Sequence, residues 1–300
     1  MLIINHLSDS RIFFRYHPNF ISNKQYNSSF LWIKSYICDE LKELILMKEN
    51  FKKEGKYTYF EAGEGTPIIV LHGLMGGLSN FGGVADFFPK NGYKVVIPEL
   101  PLYTQNILKT NVKAFSKFVK DFIVFKGFER VILLGNSLGG HVGLYHTKMY
   151  PEKVAAMVLT GSSGLYESAM GDSYPKRGDY EYIKLKTQNV FYNPEMASKE
   201  LVDEVFSIVN DRIKVIKTLT IAKSAIRHNM AKDLPKMQTP TCLIWGKDDK
   251  VTPPEVAEEF HKLLPNSDLY WIDKCGHAAM MEHPDEFNKI LLEWLEKTKL

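Results

Sequence analysis

The sequence predicts an α/β fold in which a mostly parallel central sheet is flanked by helices and carries a helical insertion. From residue 56 onward, short β-rich apolar runs alternate with amphipathic stretches, as expected when helices cover a parallel sheet. About 80 residues separate the run ending at Thr160 from the run starting at Thr241, far beyond the roughly 2–6 residues of an ordinary connection. At 45% hydrophobic residues, the 300-residue chain can bury one large core.

The strands are predicted from apolar runs that turn-prone residues separate. They are the runs 56–61, 67–71, 93–98, 130–134, 154–160, 241–245 and 269–272. Apolar residues at helical spacing predict helices over 106–126, 138–149, 255–264 and 284–297, and a further helical segment that Asn91-Gly92 closes. The last of the four listed helices has Pro284 at its first turn, where proline is favoured.

The chain divides into three parts by pattern. Residues 1–46 mix Asn, Ser and aromatic residues without periodicity, so we expect an N-terminal extension that is disordered or that derives from an upstream start. Residues 47–163 and 234–300 are predicted to form the core. Residues 164–233 are predicted to form a helical cap, with helices over 195–208 and 211–229.

Charge and cysteine content exclude several classes of protein. The net charge of +3 is spread without a Lys/Arg block, so we expect neither a nucleic-acid nor a membrane partner. Cys38, Cys242 and Cys275 lack the spacing of disulfide or metal frameworks, which indicates a reducing, cytoplasmic location. His141 and His146 lie on one helix without a third ligand type, so no metal and no cofactor are expected. The oligomeric state is left open.

The run GNSLG at residues 135–139 carries the strongest functional signal. It follows a predicted strand and opens a predicted helix, which is the context of the nucleophile elbow G-x-S-x-G. The glycines are needed because the turn is so tight that side chains two residues either side of the serine would clash. We therefore predict that Ser137 is a nucleophile.

An acid and a base are expected downstream, in loops at the carboxyl ends of later strands. Asp248 and Asp249 follow the predicted strand 241–245, at the edge where catalytic groups of α/β sheets collect. The residues alone leave both aspartates open. His277 follows the final strand, where one ring nitrogen can reach Ser137 and the other the acid. This position favours His277 over the other eight histidines.

The run HGLMGG at residues 72–77 follows the predicted strand 67–71. Its glycines let the chain curl so that a backbone N–H points at a developing oxyanion, and we predict Leu74 and Leu138 N–H as the donor pair. His72 is predicted to hold this loop by packing and hydrogen bonding, with no acid–base role.

Together the elbow, the His72 loop, the acid and His277 resemble the α/β-hydrolase superfamily over residues 55–298. The resemblance places the acid four residues before Pro253, which selects Asp249. It implies the α/β-hydrolase fold and a Ser-His-Asp triad. Because position 137 is Ser, the family's haloalkane dehalogenases and epoxide hydrolases, which use Asp as nucleophile, are excluded.

Within that superfamily, GNSLGG at 135–140 and the C-terminal stretch 275–288 are similar to the meta-cleavage-product hydrolases, which cut carbon–carbon bonds. Members of that subgroup place Trp after the catalytic histidine, where this chain has Ala278. They also carry a cap-helix arginine, which the segment 200–205 lacks. Asn136 and Arg227 are the candidate substrate-binding residues, and Arg212 and His228 are further candidate cations.

The absence of this Trp and of the cap-helix arginine predicts a roomier, less polar site. We therefore expect a serine hydrolase that cleaves a small ester-like substrate through an acyl-enzyme. The first alternative is a carbon–carbon hydrolase of the meta-cleavage-product type. The second is a ligand-binding protein of the same fold without catalysis.

Overall fold

The computed structural model describes residues 50–166 and 175–300. All of the described residues belong to one compact unit. The predicted N-terminal extension, residues 1–46, lies outside the described residues, as does part of the predicted loop of the inserted segment.

Eight strands form one sheet in the order β1-β2-β4-β3-β5-β6-β7-β8. Their bounds are Phe51–Glu54 (β1), Tyr57–Ala62 (β2), Thr66–Leu71 (β3), Tyr93–Pro98 (β4), Val131–Asn136 (β5), Val154–Thr160 (β6), Thr241–Gly246 (β7) and Ser267–Ile272 (β8). β1 pairs with β2 and β2 with β4 in antiparallel register, and every other pairing is parallel. The predicted mostly parallel sheet is confirmed.

Helices pack on both faces of the sheet, and three further helices lie in the segment between β6 and β7. Their bounds are Gly82–Phe87 (α1), Val112–Phe125 (α2), Leu138–Met149 (α3), Tyr180–Gln188 (α4), Lys199–Asn210 (α5), Arg212–Arg227 (α6), Pro254–Leu263 (α7), Ala279–Glu282 (α8) and Pro284–Lys297 (α9). None of the described helices is long and apolar enough to cross a membrane.

The core sits in two layers because side chains alternate along each strand. On β3, Ile69 and Leu71 pack with α2, α3 and α7, whereas Ile68 and Val70 pack with α1 and α9 on the other face. β5, β6 and β7 are buried along their whole length, as expected for strands covered on both faces. The loops after β5, β7 and β8 leave the sheet at its carboxyl edge. The buried strands therefore anchor these loops to a rigid core.

The segment between β6 and β7 holds α4, α5 and α6. Each of the three begins at a polar cap whose side-chain oxygen accepts a backbone N–H: Asp179 from Tyr182, Ser198 from Leu201, and Asp211 from Ile213 and Lys214. Ile183, Val205 and Val209 form a small apolar cluster between these helices. The helices predicted over 195–208 and 211–229 match α5 and α6 to within a few residues.

Candidate active site

The chain reverses sharply at Ser137, between the end of β5 and the first residue of α3. Ser137 has φ 53° and ψ −121°, a conformation that L-residues rarely adopt. A Cβ on Gly139 would strike the backbone carbonyl of Leu71 in β3, and one on Gly135 would lie 2.5 Å from the Gly140 nitrogen. The strand and helix can approach this closely only because these positions are glycine.

The loop after β7 brings Asp249 against His277. His277 Nδ1 lies 2.9 Å from Asp249 Oδ2, and both side chains are buried. Asp249 Oδ1 accepts the backbone N–H groups of Val251 and Thr252 at 2.8 and 3.0 Å, and the Thr252 hydroxyl donates to Oδ2 at 2.8 Å. A carboxylate with this set of donors accepts from the imidazole, so Nδ1 carries the proton and Nε2 is left as a hydrogen-bond acceptor.

Two further contacts hold His277: Gly161 packs against its ring, and Asn136 bonds its backbone carbonyl. A Cβ on Gly161, which follows β6 at φ +50°, would lie 2.7 Å from His277 Nδ1, so the ring packs directly on the backbone of that turn. Asn136 Nδ2 donates to the carbonyl oxygens of Thr160 and His277, at 3.0 and 3.1 Å. Asn136 thus ties the end of β5 to the end of β6 and to the histidine loop.

The loop after β3 is fixed by His72, as the sequence predicts. His72 Nε2 accepts the Leu100 N–H at 3.0 Å, so Nδ1 carries the proton and donates to the Gly73 carbonyl at 3.0 Å. Burial lowers the pKa of His72, which keeps the ring neutral in this arrangement. A Cβ on Gly73 would lie 3.2 Å from the Ser137 Cβ, so this loop runs directly beside the elbow.

A cavity of about 460 Å³ opens over the elbow. Its lining brings together Ser137, Asn136, His277 and Leu74, with Ala278 beside them. Most of the remaining wall is apolar and comes from α5, α6 and the loop after α4, including Val190, Phe191, Leu201, Val205, Leu219 and Ala222, while α4 contributes Lys186 and Thr187. The inserted segment therefore forms one wall of the cavity and the sheet edge forms its floor.

Two predicted site residues, Leu138 and Arg227, are not among the residues that line the cavity. Leu138 is buried as the first residue of α3, next to Ser137, as its predicted role requires. Arg227 is exposed at the end of α6 and does not line the cavity. The cations among the described lining residues are Lys186 on α4 and Lys250 beside Asp249, neither of which sequence reasoning singled out.

Thr252 is a further residue that sequence reasoning missed. Its hydroxyl donates to Asp249 and lies 3.3 Å from His277 Nδ1. The sequence signal that could have identified it is its position three residues after Asp249. From that position a threonine can donate both its backbone N–H and its hydroxyl to the same carboxylate.

His141 and His146 lie on α3 and are not among the residues that line the cavity. His141 Nε2 is 3.0 Å from His228 Nδ1, and burial lowers the pKa of His141 to about 3. Burial also lowers the pKa of His146 to about 4. In the described ranges, His, Cys, Asp and Glu side chains form no group of three that could hold a metal ion.

Comparison with known proteins shows the family to which this fold belongs. A model of the alpha/beta hydrolase fold family matches residues 66–284. A Pseudomonas sp 2-hydroxy-6-oxononadienedioate/2-hydroxy-6-oxononatrienedioate hydrolase is 28% identical over 262 residues, which cover 79% of this chain and 90% of that protein. A crystal structure of an alpha/beta hydrolase from the metagenome of Mar Chica lagoon sediments, Morocco, is 60% identical, with 83% of this chain and 99% of that chain covered and a TM-score of 0.71. A serine hydrolase involved in carbazole degradation is 27% identical, with 80% and 94% covered and a TM-score of 0.69.

Proposed function

The chain belongs to the alpha/beta hydrolase fold family, and on that premise we propose that it is a serine hydrolase that cleaves small ester-like substrates through the triad Ser137, His277 and Asp249. The observation that carries the proposal is the buried Asp249–His277 pair at 2.9 Å, whose histidine lines the same cavity as Ser137. A buried carboxylate that orients an imidazole beside a strained serine is the arrangement that nucleophilic catalysis needs.

In the proposed reaction, His277 Nε2 takes the Ser137 Oγ proton as Oγ attacks the ester carbonyl carbon. The Leu74 and Leu138 N–H groups stabilise the tetrahedral oxyanion, and Asp249 stabilises the imidazolium. When the intermediate collapses, the carbon–oxygen bond to the alcohol breaks and the alcohol takes the proton from His277. Water then loses a proton to His277 and attacks the acyl carbon. When this second intermediate collapses, the bond between the acyl carbon and Ser137 Oγ breaks, Oγ takes the proton from His277, and the acid is released. No cofactor enters this scheme.

The preference for an ester rests on the apolar character of the cavity. Its walls come mainly from Leu, Val, Phe, Ala and Met side chains, and Ala278 leaves room where the carbon–carbon hydrolase pattern has Trp. A neutral acyl group gains from burial against such walls, whereas a carboxylate or enolate needs fixed partners to offset its desolvation.

The second candidate is a carbon–carbon hydrolase of the meta-cleavage-product type. Two observations favour it: the Pseudomonas relative is named as such a hydrolase, and Lys186 and Lys250 supply cations at the cavity. The same elbow and triad would serve this reaction, so only the substrate distinguishes the two candidates.

The test compares kcat/KM for p-nitrophenyl esters of increasing acyl length with kcat/KM for a 2-hydroxy-6-oxo-dienoate. We expect ester turnover to exceed dienoate cleavage. Dienoate cleavage faster by at least about a hundredfold, or about 2.7 kcal/mol of transition-state preference, would overturn the ester assignment. In that case Lys186→Met, Lys250→Met and Arg227→Ala would show which cation the substrate carboxylate requires.

A catalytically silent binding protein would give neither activity. It would also leave Ser137 unlabelled by a fluorophosphonate, whereas we expect labelling at that single serine. The substrate is expected to be a small molecule, and we propose a cytoplasmic location, as the cysteine usage indicates.

A further inference from the structure

Glu282, the last residue of the short helix α8, makes an unusual set of hydrogen bonds. Its Oε1 accepts the Gly276 N–H at 2.7 Å. Its Oε2 accepts the N–H groups of Tyr192 and Asn193 at 2.8 and 3.2 Å. Both oxygens of one carboxylate are therefore occupied by backbone donors from two separate parts of the chain.

The two parts are the catalytic loop and the inserted segment. Gly276 directly precedes His277, while Tyr192 and Asn193 follow Phe191, whose side chain lines the cavity. The His277 N–H also donates to the Val190 carbonyl at 2.9 Å, so the two stretches run side by side.

Gly276 allows this contact. A Cβ there would lie 2.6 Å from the Val190 oxygen and 2.8 Å from the Tyr192 nitrogen, closer than real Cβ atoms come. The Glu282 carboxylate thus adds hydrogen bonds at the junction where the backbone of the catalytic loop contacts the backbone of residues 190–193. Glu282 itself is not among the residues that line the cavity, so an effect on catalysis must pass through the backbone that it holds.

We propose that Glu282 is a positioning residue that holds His277 in its reactive placement and fixes the cavity wall at 190–193 to it through one shared carboxylate. This inference rests on the proposed function, because it assigns a role relative to His277 as the base. A carboxylate suits the position since three N–H donors converge on it, and hydrogen bonds to an ionised acceptor are short and strong. A neutral amide would offer one oxygen to one side and present a donor to the other.

The test measures kcat, KM and the second-order rate constant for fluorophosphonate labelling of Ser137 in the full chain. In Glu282→Ala we expect kcat and the labelling rate to fall about 10- to 100-fold while KM stays within about threefold, because a misplaced base slows the chemical step more than it weakens binding. Glu282→Gln should fall between wild type and Glu282→Ala. Gly276→Ala, which forces the same junction apart, should reproduce the loss.

Glu286→Gln is the matched control, because Glu286 is an exposed carboxylate four residues further along, in α9, and its replacement changes the charge equally. It should keep all three parameters within about twofold. Thermal unfolding identifies any variant that fails to fold, and the near-isosteric Glu282→Gln then decides the question.

Equal labelling rates and kcat in wild type and folded Glu282→Gln would overturn the positioning role. A rise in KM alone would overturn it as well, since it would assign Glu282 to the cavity wall only. If wild type itself were not labelled at Ser137, the proposed function would fail instead, so the two failures are distinguishable.

Discussion

Asp248 and Asp249 are adjacent aspartates with different surroundings. Asp249 is buried and accepts four hydrogen bonds, from Val251, Thr252 (twice) and His277, whereas the Asp248 side chain is exposed. The residues alone left this choice open, and family resemblance selected Asp249. The geometry supports the same choice, since His277 lies within hydrogen-bond distance of Asp249.

We expect Asp249→Asn to lower kcat by about 10⁴-fold, because the amide no longer holds His277 in the required tautomer. Asp248→Asn is the matched control and should stay within about twofold. Steady-state kinetics of both variants on one ester make the comparison. Loss of activity in Asp248→Asn with Asp249→Asn unaffected would show that the acid is assigned to the wrong residue.

The candidate site was predictable to the extent that its residues occur in local motifs. Ser137 could be predicted because the tight turn around it requires glycines at fixed nearby positions. His277 could be predicted because it lies in a loop that directly follows a predicted strand. Glu282 and Lys186 could not be recognised in this way, because their positions depend on how the inserted segment packs on the core. Arg227 was chosen for its charge, and its place at the exposed end of α6 follows from helix phase and packing.

At the scale of elements, the strands were predictable where both faces are buried. β4 and β6 match the predicted runs 93–98 and 154–160, since continuous Val, Ile and Leu runs are typical of buried parallel strands. β1 was not predicted, because its sequence FKKE shows no apolar alternation and the strand pairs only at the exposed edge of the sheet. α4 was also missed, since its few buried positions, Ile183 and Thr187, give a weak helical pattern.

The junction of β3 and α3 gives a test of the elbow's packing. A Cβ at Gly139 would meet the fixed backbone carbonyl of Leu71, whereas one at Gly143, a turn later, would find its nearest neighbour at 3.8 Å. We expect Gly139→Ala to lower the free energy of unfolding by about 1–3 kcal/mol and to reduce activity.

Gly143→Ala is the matched control and should raise the free energy of unfolding by about 0.5–1 kcal/mol, because alanine favours the helix and fits the space. Urea unfolding measures both variants. A stable, active Gly139→Ala would contradict the close approach of α3 to β3.

At the scale of the whole molecule, the buried histidines make stability depend on pH. Burial lowers the pKa of His72, His141 and His146 from 6.5, to about 3 for His141 and about 4 for His146. Below pH 6.5 the unfolded chain binds protons that the folded chain excludes, so their contribution to stability is complete above that pH and is lost as pH falls.

From pH 6.5 to 5.5 we expect the free energy of unfolding to fall by about 1 kcal/mol for each of His141 and His146, because their folded-state pKa values lie well below this range. Urea titrations across this range measure the slope. His146→Gln should reduce the slope, and His261→Gln, on an exposed side chain, serves as the control. A slope that His146→Gln leaves unchanged would exclude His146 as a source of the acid sensitivity.

The division of the chain into extension, core and cap stays a prediction. We expect a chain of residues 47–300 to remain soluble and active, because the core pattern begins after Met47. Its free energy of unfolding should match that of the full chain. A loss of more than about 2 kcal/mol would show that residues 1–46 contribute to the stability of the core.

The central claim is that Ser137 becomes acylated during turnover. The most direct measurement is mass spectrometry, of the intact protein and of its peptides, on enzyme quenched during hydrolysis of a p-nitrophenyl ester. Ser137→Ala and His277→Ala are treated in the same way. We predict a mass increase equal to the acyl group, located on the peptide that contains Ser137, and its absence in Ser137→Ala. Rapid ester turnover by Ser137→Ala, or an acyl group on another residue in the wild type, would contradict the claim.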